Sequence, residues 1–151
     1  MPRTTTVTIA TLLLFSFAVT AVGNAAEVIR LTPKNWDEYA PQGKEIDAIY
    51  GDYVIRNEVL TAVIAQPKQG RNANLTVRNV YGGVLDLTRN DNNNDQLSCF
   101  YPTNQRFTFT DEEAVTIQHT ENGMATLSFA SLKRADSVQA VLTYSLGNGD
   151  S

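Results

Sequence analysis

The sequence predicts a mainly β protein, an antiparallel β-sandwich with one short helix near its start, and three observations lead there. Short runs rich in Val, Ile, Tyr and Phe recur from Tyr53 to Leu146. Turn-forming groups such as Asn57-Glu58, Gly82-Gly83 and Glu121-Asn122-Gly123 separate them. Inside several runs apolar and polar residues alternate, the period of a strand with one face against a core.

The first residues read as an export leader. Arg3 precedes a largely apolar run from Val7 to Val22, then Gly23, Ala25 and Ala26, and only then the acidic Glu27. That order matches a signal peptide over residues 1–25, cleaved after Ala25, with cleavage after Ala26 as the rival. A membrane anchor needs about 20 predominantly apolar residues, and this run is shorter and interrupted by Thr8, Thr11, Ser16 and Thr20. A lipoprotein needs a cysteine at the cleavage point, and the sole cysteine is Cys99. The expected destination is therefore secreted or periplasmic, with the membrane met only during export.

Residues 26–151 then form one domain of about 125 residues. A hydrophobic fraction of 42% supplies a core. Twelve basic against 16 acidic side chains give a net charge of −4, which becomes −5 when Arg3 leaves with the leader. With no basic run, nucleic acid is not an expected partner. One cysteine excludes an intramolecular disulfide, and Cys99 reads as a small buried hydrophobe rather than a nucleophile.

Element by element, Glu27 to Leu31 is a short entry segment. Thr32-Pro33 suits a helix start, with Thr32 as cap and Pro33 at the first position. Leu31 and Trp36 have the spacing of a hydrophobic staple, and Pro41 and Gly43 end the helix within two turns. Tyr53 to Arg56 and Val59 to Ala65 form a hairpin about Asn57-Glu58. Val59 to Ala65 lacks a polar face, so both its sides should be covered. Gln66 to Asn74 is a loop, Leu75 to Val80 and Val84 to Thr88 are strands about Gly82-Gly83, and Arg89 to Gln96 is a loop. Strands should follow at Phe107 and Phe109, at Val115 and Ile117, and at Ala125, Leu127 and Phe129. The last runs from Ser137 to Leu146, with Val138, Ala140, Leu142, Tyr144 and Leu146 on one side. Gly147-Asn148-Gly149-Asp150 then looks like a turn awaiting another strand, so the sandwich reads as incomplete at its C-terminal end.

Candidate sites are few. Arg71, Asn72, Asn74, Arg78 and Asn79 are dense in planar donors and acceptors that could bind sugar hydroxyls or carboxylates. The alternative is a set of contacts organising the glycine turn. Asp91, Asn93 and Asp95 fall at the first three EF-hand ligand positions, a Ca²⁺ arrangement. Gln96 and Pro102 stand where that motif needs Gly and Glu, so the loop reads first as a solvated turn. His119, the only histidine, excludes triads and multi-histidine zinc sites within the chain and reads as a strand-end residue at the rim of the core. Glu112 and Glu113 beside Asp111 read as a solvated turn rather than a glycosidase pair. Asn74-Leu75-Thr76 is a formal N-glycosylation sequon. No catalytic residue and no cofactor are expected.

Two stretches carry a resemblance. Tyr50-Gly51-Asp52-Tyr53-Val54-Ile55-Arg56-Asn57, continuing into Leu60 to Ala65 and Gly82-Gly83-Val84-Leu85-Asp86-Leu87-Thr88, resembles the opening hairpins of galactose-mutarotase-like β-supersandwich domains. The tail from Leu142 to Asp150 is similar to a strand and turn inside such domains. Leu31 to Pro102 also resembles the N-terminal region of large exported bacterial proteins, some of which carry a PHP-type (CehA/McbA-like) metallohydrolase domain. No position here matches the catalytic histidines and carboxylate of true mutarotases. The resemblance implies a non-catalytic front portion, either a carbohydrate-associated module in its own right or the amino-terminal fragment of a secreted metal-dependent hydrolase.

Overall fold

The computed structural model describes residues 25–41, 46–92, 97 and 99–150. The expected leader over residues 1–25 lies, but for Ala25, outside the described residues. Two antiparallel sheets stack as a sandwich, as the alternating pattern predicts. The first holds β1 (Glu27–Arg30), β2 (Tyr53–Arg56), β3 (Leu60–Ile64) and β4 (Val84–Arg89), in that spatial order. The second holds β5 (Val115–His119), β6 (Ala125–Ala130) and β7 (Val141–Leu146), again in chain order.

The inter-sheet core contains Val28, Tyr53, Ile55, Ile64, Val84, Phe109, Ala125, Leu127 and Phe129. In β6 every second residue is buried, so strand alternation alone assigns its inner face. A second core lies on the opposite face of the first sheet. There Leu31, Ala48, Val54, Val63, Ala65, Val80 and Leu85 are covered by Trp36, Tyr39, Val77, Cys99 and Tyr101. The expected covering of both sides of Val59 to Ala65 holds at its end, where Ile64 faces one core and Val63 the other and both are fully buried, while Leu60, Thr61 and Ala62 stay partly exposed.

The β2–β3 hairpin forms where expected. Asn57 Oδ1 accepts from the backbone N–H of Val59 and Leu60, at 2.8 and 2.7 Å, closing the turn with a side chain. Four expectations are corrected. The helix α1 covers only Trp36–Tyr39, and Thr32 does not cap it. Instead Asn35 Oδ1 accepts from the Thr32 amide and hydroxyl, which consumes the residue that could have started the helix earlier. Leu75 to Val80 is an irregular loop, because Asn74 Oδ1 binds the amides of Thr76 and Val77 and bends the chain. Phe107 and Phe109 lie outside any strand, with Phe109 plugging the inter-sheet core. β5 by contrast forms where expected, with Val115 and Ile117 opposite Phe129 and Leu127 on one face, which is only partly covered because that strand is a sheet edge. Finally, β7 starts at Val141, because Ser137 adopts φ 62° in a turn and leaves Val138 exposed.

Gly82-Gly83 joins the two cores. Gly83 N donates to Val80 O at 2.7 Å, and Tyr144 reaches across from β7 to donate to Gly82 O at 2.5 Å. Burial raises the Tyr144 phenol well above the ordinary tyrosine range. A Cβ on Gly83 would sit 2.8 Å from Val80 O and 3.1 Å from Phe100 O, both backbone atoms that cannot swing aside. Gly83→Ala is therefore expected to cost about 1–3 kcal/mol, read as a fall in Tm. Gly70→Ala, with nothing within 4 Å of its Cβ, should cost less despite its φ of +76°.

Candidate binding cleft

The five predicted ligand-binding residues sit in one loop but do not converge on one site. Arg71 turns inward. Its Nη2 lies 2.6 Å from Asp52 Oδ2 and its Nε 3.2 Å from Oδ1, and the two side chains are 2% and 0% exposed. Nη2 also donates to Asp47 O at 2.6 Å, and Nη1 to Asn72 O. Asp52 in turn accepts from the amides of Ile49 and Gln66, each at 2.9 Å. Every polar edge of this buried pair is thus engaged with the chain itself. Asn72 Oδ1 accepts from the Asn79 amide at 2.9 Å, and Asn79 holds the left-handed φ of 54°. Asn74 Oδ1 takes the Thr76 hydroxyl as well as the two amides, and Arg78 Nε donates to Leu75 O at 3.1 Å. These contacts are those of a loop organised by its own side chains.

The Ca²⁺ candidate is divided. Asn93 and Asp95 lie outside the described residues. Asp91 forms a two-point pair with Arg89, at 3.1 Å for both contacts, and that hydrogen bonding holds its carboxyl below the usual range. A carboxylate already facing a guanidinium is a poor start for a cation site. Among the described residues no three His, Cys, Asp or Glu side chains gather closely enough to hold a metal ion. His119 takes the rim position expected of it, where its Nε2 accepts from the Val28 amide at 3.3 Å. Glu112 pairs with Arg30 at 3.1 Å on the surface. The Cys99 thiol is half-buried and pushed up by desolvation, as for a hydrophobe rather than a nucleophile.

A different set does line a cleft. The register of the first sheet sets Glu27 opposite Arg56, Arg56 opposite Thr61, and Thr61 opposite Thr88, a polar row across all four strands. With Asn57 and Asn90, part of this row walls an open cleft of about 280 Å³. A smaller one of about 150 Å³ adjoins it and adds Glu38 and Tyr39. Arg56 Nε donates to Glu27 Oε1 at 2.7 Å, and its guanidinium carbon stands 4.2 Å from the Tyr39 ring centroid. Thr61 Oγ1 donates to Asn90 Oδ1 at 2.7 Å, while Asn90 Nδ2 donates to Asn57 O at 2.9 Å. Arginine, carboxylate, amide and hydroxyl groups thus stand side by side next to an aromatic ring. Such a surface can exchange hydrogen bonds with a polyhydroxylated ligand, and it contains no nucleophile–base pair. Sequence reasoning missed it because the row spans residues 27 to 90 and exists only through strand register. Comparisons of this chain with models of protein families, with curated proteins and with solved structures find no match.

Proposed function

We propose that this chain is an exported, non-catalytic β-sandwich module that associates with carbohydrate through the cleft around Arg56 and Asn90. The observation that carries the reading is the cross-strand row of half-exposed Glu27, Arg56 and Thr61, which with exposed Asn90 sets donors and acceptors beside Tyr39, while Thr88 at the end of the row is buried. Planar, multi-point hydrogen bonding of this kind suits sugar hydroxyls. Titration calorimetry against a broad oligosaccharide panel tests it. At least one sugar should give saturable heat, and Arg56→Ala or Asn90→Ala should weaken that binding about tenfold, near the 1.4 kcal/mol of one good hydrogen-bonded contact. Flat heats across the panel would remove the carbohydrate assignment.

A second reading has support of its own. In it the chain is the amino-terminal part of a secreted metal-dependent hydrolase whose catalytic domain lies elsewhere in the polypeptide. The resemblance of Leu31 to Pro102 to exported bacterial proteins favours it. Sequencing the gene past the Ser151 codon separates the two. An in-frame extension rich in His and Asp supports the hydrolase, and an immediate stop removes it.

A further inference from the structure

The backbone nitrogen of Ala26 faces more acceptors than an amide can serve. It lies 3.1 Å from Gly123 O and 3.0 Å from Asn148 Oδ1, so its single hydrogen is divided between two partners. Burial changes at the same residue. Ala25 is exposed, whereas Ala26 is 3% exposed and joins Val28 in the inter-sheet core. β1 follows at once, from Glu27. Among the described residues, packing of this segment therefore starts at Ala26.

Both acceptors are fixed by the turns that carry them. Gly123 closes the β5–β6 turn, its N–H donating to Thr120 O at 3.0 Å. Asn148 belongs to the turn after β7, where Gly147 N donates to Asp150 Oδ2 at 2.6 Å. Asn57 Nδ2 holds that turn from the first sheet, donating to Gly147 O at 2.8 Å and to Asp150 O at 3.0 Å. The two turns also touch each other: a Cβ on Gly123, at φ +80°, would fall 2.5 Å from Asn148 Nδ2. Three distant segments thus converge on one nitrogen.

We infer that the peptide bond between Ala25 and Ala26 is the processing site of the leader, and that the Ala26 ammonium released there docks on Gly123 O and Asn148 Oδ1 to pin the two turns to β1. Such processing presupposes export, the reading proposed above. Hydrolysis breaks the C–N bond, leaving the oxygen of water on the Ala25 carboxylate and both its hydrogens on the Ala26 nitrogen. An α-amino group is mostly protonated at pH 7. Its three hydrogens then give each acceptor one of its own, in charge-assisted bonds, and the third replaces the Ala25 carbonyl carbon on the exposed side. Gly23 and Ala25 stand three positions and one position before this bond, the small residues that leader processing selects. Cleavage one bond later would remove the buried Ala26 methyl and both contacts.

Mass spectrometry of the full chain, exported from a bacterial host with its own leader, is the first measurement, and the mature product should begin at Ala26. Thermal unfolding compares two chains released from a cleavable fusion, one beginning at Ala26 and the other at Ala25. Keeping Ala25 makes the Ala26 nitrogen an amide again, and Tm should fall by about 3–6 °C. Were the segment only a packed strand, the longer chain would keep every contact and lose nothing. Asn148→Ala should lower Tm more in the chain beginning at Ala26, where it removes a charge-assisted bond, than in the longer one. An exported product beginning at any residue other than Ala26 would overturn the processing site. Equal Tm values, or an equal effect of Asn148→Ala in both chains, would overturn the ammonium contact and leave export standing. A chain kept in the cytosol with its leader attached would remove the export reading and the processing site together.

Discussion

Arg71→Met is expected to destabilise the fold by about 3–5 kcal/mol, the cost of leaving a buried carboxylate without its cation. Asp52 is 0% exposed and sits beneath the loops that cover the first sheet's outer core. Without the guanidinium, Asp52 must either stay charged in an apolar surround or take up a proton. Equilibrium urea unfolding, followed by circular dichroism, measures the loss. A double variant, Asp52→Leu with Arg71→Met, sharpens the interpretation. Were the pair merely two cancelling charges, an apolar replacement would restore stability. Here the carboxylate also accepts from the Ile49 and Gln66 amides, so the double variant strands two backbone donors. It should remain below wild type by about 1–3 kcal/mol for each donor left unpaired. Full recovery would show that the pair does not organise these loops.

Phe129→Ala is the second large effect, expected at about 3–5 kcal/mol. Phe129 is 1% exposed near the end of β6 and packs edge-on against Tyr53 of the facing sheet, with ring centroids 5.8 Å apart at 69°. It meets Tyr144 of β7 similarly, at 6.4 Å and 77°. One side chain therefore joins both sheets and the neighbouring strand, and truncation opens a cavity that stiff strands cannot collapse into. Ile117→Ala is the useful contrast. Ile117 is 42% exposed on the edge strand β5, so its loss should cost well under half as much. Similar costs for the two would mean that the sheets do not pack face to face about Phe129. Chemical denaturation of both variants alongside wild type decides it.

Much of the fold was legible because strands announce themselves locally. The alternation of Ala125, Leu127 and Phe129 against Thr126 and Ser128 assigns β6 with no knowledge of its neighbours. Asn57 closes its hairpin with its own side chain, a short-range signal that sequence carries fully. Failures arose where a polar side chain captured nearby backbone. Asn74 bent a segment whose composition suits a strand, and Asn35 delayed a helix whose start looked favourable at Thr32. The candidate sites divided along the same line. The rim position of His119 followed from alternation. Arg71, which reads as a ligand-binding group, is instead buried against Asp52, nineteen residues earlier, a pairing no local pattern signals.

By itself, then, the amino-acid sequence determined the mainly β, antiparallel class and the places of most strands, and its one cysteine excluded a disulfide within these residues. Those follow from side-chain period and composition, which act over a few residues. Only the tertiary structure decided which polar groups stand open and which are spent. The row Glu27, Arg56, Thr61 and Thr88 depends on register between strands up to sixty-one residues apart. Register and sheet offset are set by the total burial of both cores at once, a collective quantity that no single stretch of chain encodes.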